Sequence, residues 1–153
     1  MSESLFSKVL LVVDSADTSL AAAEFAVKLA RETGCEINAL AIVDTIMIEY
    51  LTLRHVLVAD EVAEFDRELL STAERYLAYV GEMAKVRGVR FQTRVQKGSF
   101  HQLALQAARE LPADAILMGG WSSSATQHDT LAASHQLILE EAACPVIVIR
   151  SRS

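Results

Sequence analysis

Three short polar stretches hold the residues that can do chemistry. Asp14-Ser15-Ala16-Asp17-Thr18-Ser19 combines carboxylates with hydroxyls, Asp44 ends an apolar run, and Gly119-Gly120-Trp121-Ser122-Ser123-Ser124 sets two glycines before a row of hydroxyls. A carboxylate can accept a hydrogen bond from an amine. Backbone without a Cβ can turn its N–H groups onto an anion at close range. The same residue types also make turns and cap helices, Ser19 as an N-cap and Gly119-Gly120 as a bend, so residue type alone leaves both readings open. Trp121 either stacks on a base or anchors its own loop. Ser123, Ser124 and Thr126 can be phosphorylated or simply hydrated.

The other reactive types form no constellation. His55, His101, His128 and His135 include no tight ligand pair. His128 and His135 are seven apart, but the last helix is expected to begin near Leu131, and no metal site is expected. No Ser-His-Asp or Cys-His arrangement stands out, since His128 and Asp129 are merely neighbours in a loop. Cys35 and Cys144 have neither metal nor redox spacing and read as small apolar residues of a reducing compartment.

The elements that must position these stretches follow from the hydropathy pattern. Strands are expected over Lys8–Asp14, Ile37–Val43, Val89–Val95, Ala115–Gly119 and Val146–Arg150. The first, fourth and fifth are continuous apolar runs, as strands covered on both faces require. Helices are expected between them. Ser19–Thr33 carries a stripe of Leu20, Ala23, Ala26, Val27 and Ala30 and ends before Gly34. Asp60–Arg87 repeats apolar residues from Val62 to Met83 every three or four positions and stops at Gly88. Ser99–Leu111 has Ser99 as its N-cap and Pro112 beyond its end. Leu131–Ala143 closes the series. Alternating strands and helices predict one α/β domain over residues 1–153, with a parallel sheet and helices on both faces. In such sheets, ligands sit outside the C-terminal strand ends, where the strand order reverses.

Bulk properties narrow the function. With 153 residues and 52% hydrophobic types, the chain can bury a sizeable core. The net charge of −6 opposes general affinity for nucleic acid or anionic membrane, neither of which is an expected partner. The apolar runs are too short to span a bilayer. Met1-Ser2-Glu3-Ser4 is polar and acidic, unlike a signal peptide, so a cytoplasmic location is expected.

Four segments together resemble the universal stress protein family over essentially the whole chain. They are Val-Leu-Leu-Val-Val-Asp at 9–14, Ala-Ile-Val-Asp at 41–44, Ala-Asp-Ala-Ile-Leu-Met-Gly at 113–119 and Ala-Ala-Cys-Pro-Val-Ile-Val-Ile-Arg at 142–150. The resemblance implies a five-stranded parallel sheet of order 3-2-1-4-5, a Rossmann-like, adenine-nucleotide α-hydrolase-like fold. Its cleft lies between the first and fourth strands. There Asp14 would face adenine, with Val43 and Gly119 packing on the ring.

ATP-binding members of that family carry a glycine, two residues, a second glycine, nine residues, then a third glycine followed by Ser or Thr. Gly119 fills the first position here, but Ser122, Ala132 and Ala133 fill the other three. Ala132 places a Cβ where phosphate oxygens would approach, and Ala133 removes a hydroxyl donor. Ser122, Ser123 and Ser124 are the hydroxyls left to compensate. The resemblance therefore implies a stress-response regulatory protein with weak or absent ATP binding, for which ATP or AMP is the candidate cofactor and neither is assigned. An ATP- or AMP-binding sensor and a slow nucleotide hydrolase are the alternatives.

Two apolar features point to partners. Val146, Ile147, Val148 and Ile149 have no charge or proline within the run, which leaves an edge open to another chain. The resemblance implies a homodimer through this strand, beside a protein partner of unknown identity. Residues 46–58 hold Ile46, Met47, Ile48, Tyr50, Leu51, Leu53, Val56, Leu57 and Val58, unusually apolar for a connection. Burial over the cleft, over the sheet edge or against a second subunit is expected. Charged substitutions at Leu51 and Leu57 should change oligomeric state or solubility, as read by light scattering; if both are silent, the segment is simply exposed.

Overall fold

Backbone pairing turns the apolar runs into one sheet. A computed structural model describes residues 5–14, 20–45, 49, 52–54, 59–119 and 129–150. The strands are β1 (Lys8–Asp14), β2 (Glu36–Asp44), β3 (Phe91–Gly98), β4 (Ala115–Gly119) and β5 (Val146–Ile149). Between them lie α1 (Leu20–Thr33), α2 (Ala59–Val86), α3 (Phe100–Glu110) and α4 (Asp129–Glu141). The order is β3-β2-β1-β4-β5 and every pairing is parallel.

Strand alternation divides the core into two layers. Val9, Leu11 and Val13 of β1, with Ile37, Ala39 and Ala41 of β2, face α1 and α2. Leu10 and Val12, with Leu40, Ile42, Ile116 and Met118, face α3 and α4. Helix α1 buries Ala22, Ala23, Ala26, Val27 and Ala30, small side chains that let its backbone approach the sheet closely. Helix α2 contributes Ala73, Tyr76, Leu77, Val80 and Ala84 at helical spacing. On the opposite face α3 supplies Phe100, Ala104 and Ala107, and α4 supplies Ile138.

Element ends depart from the expected positions where backbone hydrogen bonds outrank residue type. The third strand begins at Phe91 rather than Val89. Gly88 turns the chain at φ 69°, and the Val89 N–H is taken by the Ala84 carbonyl at 2.9 Å, which closes α2 instead. Gly34 performs the expected reversal after α1, with φ 77° and its N–H on the Ala30 carbonyl at 2.8 Å. Ser99 occupies the N-cap position of α3, but its side chain makes no capping bond. The hydroxyl lies 3.3 Å from His101 Nδ1 instead. Helix α4 runs two residues earlier than expected at both ends.

The two edges differ in character. Along β3, the run FQTRVQKG is mostly exposed or half-buried, and Lys97 pairs with Asp66 of α2. Along β5, all four residues are apolar and half-buried. Of the apolar segment 46–58, residues 46–48, 50–51 and 55–58 lie outside the described residues. Leu53 is 79% exposed, so this one residue is not buried within the chain.

At the N-terminal end of the sheet a side chain clamps β1 to β4. Asp114 Oδ2 accepts the Ser7 and Lys8 N–H groups at 2.7 and 2.9 Å, and the Asp114 N–H donates to the Lys8 carbonyl at 2.7 Å. The bonds from Lys8 and Ser7 hold the Asp114 carboxyl below the usual carboxylate range, against a small opposing cost of burial. A carboxyl lowered by folding stabilises the folded state above its unfolded pKa, and that stability is lost as the pH falls through the folded value. Asp114→Asn should therefore cost about 1 kcal/mol at pH 7, a modest figure because the group is not deeply buried. The gap from the parent, followed by urea unfolding, should close as the pH drops below the usual carboxylate range. A gap that widens on acidification would contradict this role.

Candidate functional site at the strand reversal

The site is built where β1 and β4 lie side by side and the chain goes on from them in opposite directions across the sheet. Parallel pairing sets Val9 beside Ala115 and Val12 beside Met118. Asp14 and Gly119 consequently finish the C-terminal ends of adjacent strands. The run of apolar residues before Asp14 draws β1 into the core and takes the carboxylate with it: Asp14 is only 4% exposed. Asp44 ends β2 in the same way and is also buried.

A small cavity sits at this point. Among the described residues its walls are Val12, Val13 and Asp14 of β1, Gly119 of β4, Ala22 of α1, Tyr76 of α2 and His135 of α4. The open space is only about 20 Å³, enough for roughly one water molecule. Larger hollows lie elsewhere, two of them beside β3. One of about 340 Å³ runs between α3 and the β2–β3 margin, and one of about 770 Å³ runs between α2 and β3. Both are open grooves beside the polar edge strand and include neither Asp14 nor Gly119.

Not all expected residues converge here. Asp14 and Gly119 do. Val43 is fully buried in β2, one strand away, and does not line the cavity. β1 ends with Asp14 level with Ile42, so Val43 lies beyond that register. Ala133 is exposed on α4, and Ala132 lies in the first turn of that helix. Ser122, Ser123, Ser124 and Trp121 lie outside the described residues, as do Asp17, His55 and His128.

The two aromatic residues of the cavity had no functional assignment from the sequence. Tyr76 was legible only as one member of the α2 apolar stripe, and His135 only as a histidine lacking a metal partner. His135 lies three residues before the fully buried Ile138, and that spacing puts both on the core face of α4. It is 5% exposed, and its ring stacks on Phe100 with centroids 5.0 Å apart and planes 30° from parallel.

The described residues offer little reactive machinery. None of their His, Cys, Asp and Glu side chains form a group of three able to hold a metal ion. Burial pushes the Cys144 thiol up, and the Asp114 charge acts in the same direction. A thiol so raised stays protonated near neutral pH and is a poor nucleophile. The arrangement can enclose a small group beside a buried carboxylate. It therefore belongs to a class of α/β proteins with a ligand cleft at the topological switch point.

Comparison with known proteins gives the class a family. The universal stress protein family model matches residues 5–150, so the chain belongs to that family. A curated universal stress protein of Methanocaldococcus jannaschii is 28% identical over 149 residues, which cover 97% of this chain and 84% of the relative. Among solved structures, the universal stress protein UspA from Lactobacillus plantarum shares the fold with a TM-score of 0.75 at 22% identity, covering 95% of this chain and 98% of that one. A universal stress protein in complex with cAMP aligns with a TM-score of 0.68 at 15% identity over 96% and 98% of the two chains. One from Archaeoglobus fulgidus in complex with dAMP gives 0.63 at 15% identity over 95% and 98%.

Proposed function

We propose that this universal stress protein is a regulatory protein of the stress response, cytoplasmic and homodimeric, whose cleft holds ATP weakly or not at all. The observation that carries the reading is the size of the cavity beside Asp14 and Gly119, about 20 Å³, against the roughly 300–1,000 Å³ of ordinary small-molecule pockets. The phosphate side supports it. Ser122, Ala132 and Ala133 stand at the positions where ATP-binding members have glycine, glycine and a hydroxyl residue. The unbridged thiols Cys35 and Cys144 suit a reducing compartment.

A second reading, an adenine-nucleotide sensor that takes AMP or ATP, is favoured by the cAMP and dAMP complexes of its structural neighbours. Calorimetric titration separates the two. The parent protein should show no micromolar ATP affinity, and Ala132→Gly with Ala133→Ser should raise whatever affinity exists by roughly tenfold, about 1.4 kcal/mol. Micromolar binding by the parent that is lost in Asp14→Ala would establish the sensor reading instead.

The dimer is proposed to form through the outer edge of β5. The Pro145 carbonyl accepts the Ile116 N–H from the β4 side. Alternation then turns the Val146 and Val148 N–H groups outward. A second copy can pair with them about a two-fold axis. Light scattering should give a dimer at micromolar concentration, and Val148→Pro, which deletes one outward donor, should shift it towards monomer. A monomeric parent would overturn the proposal.

A further inference from the structure

The tightness of the cleft has a specific source. Tyr76 comes from α2, on one face of the sheet, and His135 comes from α4, on the other. Both reach the cavity at the ends of β1 and β4, where they are 6% and 5% exposed. The imidazole is held at its rear by the stacked Phe100 ring, whose own side chain is fully buried. The cavity is therefore bounded by two aromatic rings, each carrying a polar hydrogen, and by the buried Asp14 carboxylate. A purine base would need the same features in the same place: flat apolar area and a donor for the carboxylate.

We propose that His135, aided by Tyr76, is a built-in occupant of the base subsite, filling the space an adenine ring would take and determining that the cleft rejects adenine nucleosides. The proposal rests on the weak-ATP reading above, and it adds to the losses at the phosphate end a separate rejection at the base end of the cleft. Phe100 acts as a positioning residue, because its ring fixes the plane of the imidazole. The consequence is a protein that is closed against its family's base without needing any change at the strand ends. Asp14 and Gly119 stay at the strand ends, and among the described residues the side chains of His135 and Tyr76 share the cavity with them.

Adenosine is the probe that tests this, because it has the base and no phosphate. The parent protein should bind it no tighter than the millimolar range, and His135→Ala should bind it roughly tenfold tighter or more, by calorimetry. Both proteins are first checked for cooperative thermal unfolding. If His135→Ala does not fold, Tyr76→Val opens the same space from the opposite face and should give the same gain. The parent supplies a third readout: its His135 ring resonances should not move when adenosine is added at millimolar concentration. Equal adenosine affinity in the parent and a folded His135→Ala, or a shift of the parent's His135 resonances, would overturn the proposal. Such a failure is distinct from that of the weak-ATP reading, which falls only if the parent binds ATP itself at micromolar concentration.

Discussion

The parallel pairing of β1 along both of its edges is the constraint on which the rest of the molecule depends. β2 lies on one side and β4 on the other. The chain must cross over one face of the sheet to reach β2 and the other to reach β5, and so α1 and α2 stand opposite α3 and α4. A strand in this position has no solvent-facing side, which is why Val9 to Val13 are all apolar and buried. The opening between β1 and β4 arises from the same pairing. It forms where two neighbouring strands stop and the connections leave in opposite directions.

The ends of that strand pair are treated differently. At the N-terminal end, the Asp114 carboxylate and backbone join β4 to Ser7 and Lys8 through three hydrogen bonds of 2.7 to 2.9 Å. At the C-terminal end the strands finish in a buried carboxylate and a glycine, and side chains from both helical layers converge over them. Register is secured far from the cleft. Residues around the cleft can then vary without disturbing the pairing that creates it.

Much of this was legible in the sequence, and the exceptions have physical causes. β1 and β4 run over the expected residues because a strand covered on both faces leaves a continuous apolar run with polar ends. Helix and strand ends were less legible. The Val89 N–H was claimed by Ala84, and the Ser99 hydroxyl turned to His101, choices made by backbone geometry that residue type does not record. At the site, Asp14 and Gly119 were legible because strand-end residues follow directly from strand limits. Tyr76 and His135 were not, because their meeting depends on two helices from opposite faces, 59 residues apart in the chain by their numbering. Val43 fails to line the cavity for a related reason: its place depends on the β1–β2 register, which no local pattern reports.

The contrast between the outer strands has a bearing on colloidal behaviour. An exposed sheet margin is a template for endless lateral growth when both of its sides are adhesive. Here only one margin, β5, is wholly apolar. The opposite margin carries Arg94 and Lys97, and charged groups there raise the desolvation cost of adding another strand. In the dimer proposed above, two copies would bury their apolar sides against each other and leave the hydrated ones showing. Under the proposed pairing, ribbon formation would thus halt at the first joining.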